Sequence, residues 1–94
     1  MAHFEIIITE TAQKDFNHIQ ALVRLKLLKA VNILLSSPFP RGNIIKKLKG
    51  VKISLYRLRA GDYRIVYHID GSQIVIMFVV DRKNFETRLK NFMA

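Results

Sequence analysis

Residues 41 to 59 carry Arg41, Lys46, Lys47, Lys49, Lys52, Arg57 and Arg59 and not one acid. The whole 94-residue chain has 16 Lys and Arg against 7 Asp and Glu, so this one stretch supplies most of its net charge of +9. A block of one sign sets up a field of several kT that draws in polyanions, and nucleic acid or a ribosomal surface is the expected partner. Downstream, Arg64, Val66 and His68 share one face of an alternating run while Tyr63, Ile65, Tyr67 and Ile69 take the other. In the run before it, Ile53, Leu55, Arg57 and Arg59 share a parity, and Lys52, Ser54, Tyr56 and Leu58 take the opposite one. A hairpin between the two runs can bring Arg57 and Arg59 near Arg64, with the register left open.

Such a cationic surface suits a phosphodiester. Cleavage of RNA by its own 2′-hydroxyl needs a proton acceptor, positive charge on the phosphorane oxygens and an acid for the leaving 5′-oxygen; it requires no metal. Arginine grips phosphate with a planar fork but is a poor base because it stays protonated. Lysine crowded by cations gives up its proton more readily and histidine titrates near neutrality, which leaves Lys49, Lys52 and His68 as the proton carriers on offer. For His68 the competing reading, cross-strand packing, is the more ordinary one, since nothing in the sequence sets its tautomer.

Other chemistries find little support. Asp62 and Asp70 stand where turns form, Asp81 stands where a helix needs a cap, and no acids are paired, so metal-dependent phosphoryl chemistry is disfavoured and no cofactor is expected. Glycines 42, 50, 61 and 71 are too scattered for a phosphate loop. Without cysteine there is no disulfide, thiolate zinc site or thiol nucleophile. His3 and His18 lack ligand spacing and read as surface residues, and Tyr56, Tyr63 and Tyr67 read as core or cross-strand packing before base stacking.

The elements that must position these residues begin with a β-branched run, Phe4 to Thr9, read as a first strand within a single domain spanning 1–94. Thr9 or Thr11 can cap a helix whose face is Ala12, Phe16, Ile19, Leu22 and Val23. A second helical stretch runs to Leu35 and is stopped at Ser36-Ser37-Pro38. Its stripe of Val23, Leu27, Ala30, Val31 and Leu34 faces a sheet; Leu22, Leu25 and Ile33 need another cover, for which the first helix is favoured over a partner protein. Three strands follow: Lys52 to Arg59, Tyr63 to Ile69 and Gln73 to Val80. The turns between them are Ala60-Gly61-Asp62 and Asp70-Gly71, the latter expected to place both central residues at positive φ. The last strand does not alternate and belongs in the middle of the sheet. Phe85, Leu89, Phe92 and Met93 form a terminal helix capped by Asp81 or Asn84. The expected fold is α+β, with helices on one face of a mainly antiparallel four-stranded sheet in the order β-α-α-β-β-β-α. No apolar run is long enough for a membrane helix and no signal peptide is recognisable, so a cytoplasmic protein is expected.

Lys47-Leu48-Lys49-Gly50, then Tyr56-Arg57-Leu58-Arg59-Ala60-Gly61-Asp62-Tyr63-Arg64-Ile65-Val66-Tyr67, then Asp81-Arg82-Lys83 after an apolar strand, resemble the RelE/ParE family of bacterial type II toxins. The resemblance spans essentially the whole chain. It implies a small toxin held inactive by an antitoxin encoded beside it and, in the RelE branch, a ribosome-dependent endoribonuclease that cuts messenger RNA in the decoding site. It also implies catalytic positions at Arg57, Arg64 and Arg82 and RNA or ribosome contact by Lys46, Lys47, Lys49, Lys52 and Arg59. Two departures stand out: Asp81 and Phe85-Glu86 occupy the regions where many RelE-like toxins have histidine and tyrosine, and Leu55 replaces an active-site lysine. The alternatives are a ParE-like toxin that poisons DNA gyrase by binding, or a catalytically weakened homologue kept as an antitoxin-binding or repressor module.

Overall fold

The computed structural model describes residues 3–49 and 53–94. β1 (Glu5–Ile8) leads through Thr9 into α1 (Glu10–Asn17). The Thr9 hydroxyl accepts from the Ala12 amide at 3.2 Å and donates to the Ile76 carbonyl at 2.7 Å, so one side chain both caps the helix and pins it to the sheet. α2 (Ala21–Asn32) and the 3-10 turn Ile33–Leu35 bury Leu27, Val31 and Leu34, the expected stripe. The cover expected for Leu22, Leu25 and Ile33 is missing: α1 ends at Asn17 and the three are 69%, 55% and 40% exposed.

The sheet is five-stranded and mixed rather than four-stranded, in the order β1-β5-β4-β3-β2. The unexpected strand is β2 (Ile45–Lys47), three residues inside the basic block, too short to show a period of two. It pairs antiparallel with β3 (Leu55–Ala60), which pairs antiparallel with β4 (Tyr63–Asp70), and that in turn with β5 (Gln73–Asp81); β1 runs parallel to β5. β3 begins at Leu55, not at Lys52, which lies outside the described residues. β5 sits inside the sheet as expected. Its lack of alternation has a second cause beyond two-sided cover: Val66 faces Phe78 while Tyr67 faces Ile76, so Met77 is an extra, bulged residue and Ile76 and Val79 reach the same core.

Both hairpins turn on two residues whose first is a glycine at φ 59, Gly61 and Gly71. Asp70 is paired with Gln73, so the second turn is centred on Gly71-Ser72 and no aspartate takes positive φ.

Two apolar clusters lie on opposite faces. Ala12, Phe16, Leu27, Val31 and Leu34 pack onto Ile45, Leu58, Ile65, Tyr67, Ile74, Ile76 and Val79. Tyr67 is fully buried, stacked on Tyr56 at 5.5 Å between ring centroids, and its hydroxyl donates to the Pro38 carbonyl at 2.6 Å. Burial away from water, and then the neighbouring Tyr56, push its phenol above the ordinary tyrosine range. On the other face Leu55, Val66 and Phe78 are covered by Leu48, Phe85 and Leu89, so α3 (Phe85–Met93) lies opposite α1 and α2 rather than beside them. Asp15 joins the two sides. Its carboxylate accepts from the Val79 amide at 3.0 Å and from Arg88 at 2.9 and 3.1 Å, while Arg88 lies 4.9 Å from the Phe78 ring centre.

Candidate nucleic-acid interface

β-sheet register decides which cations meet. Arg59 stands directly across from Arg64, Arg57 across from Val66 on one side and Lys46 on the other, and Arg64 across from Val80. Residues facing each other across a pair point to the same side, so Lys46, Arg57, Arg59 and Arg64 share the face that carries Val66 and Phe78. Arg82 follows β5 immediately beyond Asp81, the partner of Tyr63, and its amide donates to the Asp62 carbonyl at 2.7 Å, which fixes it at the same end of the sheet.

Backbone carbonyls hold two of these side chains. Arg57 Nη1 donates to Asn43 O at 3.1 Å; Arg64 Nη1 donates to Gly61 O and Tyr63 O at 3.1 and 3.0 Å. Neither contact neutralises the charge, and among the described residues no carboxylate forms an ion pair with Arg57, Arg59, Arg64 or Arg82. The cationic forms are correspondingly disfavoured. Arg57 is lowered from the usual arginine range by partial burial and then by Arg59; Arg64 is lowered by partial burial, then by Arg57, Arg59 and Arg82, with Asp62 opposing. An anion placed among them would relieve that repulsion.

The other basic residues divide. Lys47 faces Tyr56 and so falls on the opposite side of β2 from Lys46. Lys49 is exposed just past Leu48, whose amide bonds Leu55 at the far end of β3 from Arg59, so it is not part of the cluster. Leu55, where the resemblance implies a lysine, is buried in the apolar floor.

His68 lies toward the other end of β4 from Arg64. It shares the face and is paired with Leu55 and Val75, so Val66 stands between it and Arg64 along the strand, while Arg57, across from Val66, is its diagonal neighbour. Its tautomer is nevertheless set: Nδ1 lies 2.9 Å from the Ser54 carbonyl, which only accepts, so in the neutral ring Nδ1 carries the proton and Nε2 is the free acceptor. Asp81 caps the 3-10 turn Arg82–Asn84 that leads into α3, accepting from the Asn84 amide at 2.9 Å, while Asn84 makes no side-chain cap bond to α3 itself. Among the described residues no three His, Asp or Glu side chains gather as metal ligands. Beside Arg82 a cleft of about 340 Å³ is lined by Asp62, Tyr63, Asp81 and Lys83, large enough for part of a nucleotide; Tyr63 at its wall is also packed against the core, as alternation assigned it.

Residues 6–84 match the model of the ParE toxin of the type II toxin-antitoxin system parDE. The chain is a RelE/ParE-family toxin. The toxin is 27% identical over 86 residues to Toxin RelE3 of Methanocaldococcus jannaschii, covering 85% of this chain and 92% of that one. Its fold superposes on the archaeal RelE–RelB complex from Pyrococcus horikoshii with a TM-score of 0.71 at 28% identity, over 87% of this chain and 97% of the other. It superposes on a double mutant of E. coli RelE in the free state with a TM-score of 0.69 at 29% identity, over 95% and 93%. Family membership and the RelE-like fold expected from the Tyr56–Tyr67 segment thus hold, as does the assignment to type II toxin-antitoxin systems. Among the described residues no helix is long and apolar enough to cross a membrane.

Proposed function

We propose that this toxin is a cytoplasmic, ribosome-dependent endoribonuclease that cuts messenger RNA without a metal or cofactor and is restrained by a cognate antitoxin. The observation that carries the proposal is the cluster of Arg57, Arg59, Arg64 and Arg82, to which no carboxylate is paired among the described residues. The 2′-oxygen attacks phosphorus and the 5′-oxygen departs with a proton, which leaves a 2′,3′-cyclic phosphate and a 5′-hydroxyl. Arg57, Arg64 and Arg82 stabilise the charge that builds on the phosphorane, and Lys46 and Arg59 hold the flanking backbone. Lys47, Lys49 and Lys52 are assigned to ribosomal RNA, outside the clamp. His68 serves as proton carrier only if the RNA crosses the apolar floor, so its removal discriminates: loss of cleavage on His68→Ala places the strand there, and full activity removes His68 from the mechanism.

The antitoxin is supported by the RelE–RelB complexes among the structural neighbours. Brief induction followed by mapping of 5′ ends on ribosome-bound transcripts tests the activity: new 5′-hydroxyl ends are expected, and growth arrest with intact transcripts overturns it. The second reading, a ParE-like toxin that poisons DNA gyrase by binding, draws support from Leu55, an apolar residue buried where the resemblance implies a lysine. Unimpaired supercoiling at saturating toxin removes that reading.

A further inference from the structure

Two turns of the sheet share one backbone geometry and carry different loads. Gly61-Asp62 joins β3 to β4 and Gly71-Ser72 joins β4 to β5; both glycines stand at φ 59, and a Cβ at either would meet nothing within 4 Å. Space therefore permits a side chain at both positions, and only the left-handed backbone resists one. The second turn serves the sheet: the Ser72 carbonyl accepts from the Glu5 amide of β1 at 2.9 Å. The first turn serves the arginines. The Gly61 and Tyr63 carbonyls both accept from Arg64 Nη1, at 3.1 and 3.0 Å, and the Asp62 carbonyl between them accepts from the Arg82 amide at 2.7 Å.

We infer, resting on the endoribonuclease reading above, that the Gly61-Asp62 turn is the positioning element of the phosphate site and that Gly61 is the residue that sets it. Strand pairing fixes the backbone only as far as Tyr63 and Asp81, and the Asp62 carbonyl carries the connection on to Arg82. Arg64 is held by one corner of its guanidinium. Both Nη1 contacts fall on the turn, which leaves Nε and Nη2, an edge that grips a phosphate with two parallel bonds. A guanidinium tethered in this way has its plane set before the anion arrives, so less freedom is lost when the phosphate binds. Gly61 contributes no side chain and acts through the two arginines. A residue that drives the turn out of positive φ swings the Gly61 and Asp62 carbonyls away from Arg64 and Arg82 while every surface charge stays in place. Attraction for RNA then persists, and the alignment of charge on the reacting phosphate is lost.

The test is single-turnover cleavage on programmed ribosomes by the full-length toxin carrying Gly61→Val, Gly61→Asn or Gly71→Val. Valine resists positive φ, and asparagine accepts it. Gly61→Val should lower the rate at saturating ribosome by about 10–10²-fold, with the half-saturating concentration within about twofold of wild type. Gly61→Asn should stay close to the wild-type rate. Gly71→Val, strained in the same way, should melt at a lower temperature yet cleave at the wild-type rate per folded molecule. In arginine side-chain NMR spectra, rotation of the Arg64 Nη groups should be slowed in wild type and in Gly61→Asn and free in Gly61→Val. A wild-type rate in Gly61→Val overturns the inference, as does an equal loss in Gly61→Asn. An equal loss per folded molecule in Gly71→Val also overturns it and assigns the effect to hairpin strain. Where Gly61→Val does not fold, the wild-type spectrum decides, because freely rotating Arg64 Nη groups rule out the tether. Intact transcripts with wild-type toxin overturn the endoribonuclease reading itself, a result distinct from the others.

Discussion

The two faces of the β3–β4 hairpin are made from alternate residues of one segment, Leu55 to Asp70, and meet opposite fates. Toward α1 and α2 the hairpin presents Leu58, Ile65 and Tyr67, all buried, with the Tyr67 hydroxyl satisfied by Pro38. Toward the other side it presents Arg57, Arg59 and Arg64, which are neighbours across the pair and form no ion pair among the described residues. The first face stabilises; the second is held in an unfavourable electrostatic state by the stability of the first. Repulsion among three or four partly solvated guanidinium groups is tolerable because the backbone that carries them is anchored from behind by apolar packing. A site and a core can therefore share a hairpin with little interference, and substitutions on the two faces should separate cleanly.

The largest effect on that separation is expected at Arg64. Arg64→Ala should reduce cleavage by about 10²–10³-fold while leaving the thermal midpoint near wild type, as measured by single-turnover RNA cleavage on programmed ribosomes and by calorimetry. Tyr67→Ala should do the reverse: a loss of about 3–5 kcal/mol in denaturant unfolding, from the cavity and the vanished stack. Any activity lost should be accounted for by the unfolded fraction. Asp15→Ala probes the joint between the faces. It orphans the Val79 amide and releases Arg88, and roughly 1–3 kcal/mol of stability should go, visible also as faster amide exchange in α3.

A smaller effect concerns pH. Because the folded protein holds the Tyr67 phenol above its unfolded value of 10.0, the unfolded state sheds that proton first as pH rises. The contribution is therefore complete below pH 10 and is lost as pH climbs through the raised value, so unfolding free energy should fall more steeply above pH 10 in wild type than in Tyr67→Phe. The smallest effect separates the two sides of β2. Lys46→Ala should flatten the salt dependence of binding to a short single-stranded RNA by about 0.7 in slope, and Lys47→Ala, whose partner is assigned to ribosomal RNA, should leave that slope unchanged.

Much of this was legible because it is local. Which residues of Tyr63–Ile69 point together follows from the pleat, and Thr9 and Asp81 were readable as caps from their place before helical runs. Leu22 was misjudged because its cover depended on where α1 would lie, and α1 settles along β5 through Phe16 and Asp15 instead. β2 was hidden by its brevity and by lysines that resemble a solvated loop. Met77 could not be recognised as bulged, since a run apolar at every position carries no parity to break.

What the sequence by itself determined is the inventory and its local geometry: seven cations in one stretch, arginines alternating with core residues, and a Tyr56–Tyr67 segment specific enough to point to the family. Only the tertiary structure decided which of those cations act together. Arg59 meets Arg64 because a two-residue turn sets the hairpin register; Arg82 joins them because β5 returns beside β4; His68 lies toward the other end of β4, and Lys49 lies past the end of β2. Those outcomes depend on pairings between strands, and pairing is chosen by the burial of the opposite face, a property of the assembled sheet that no single segment contains.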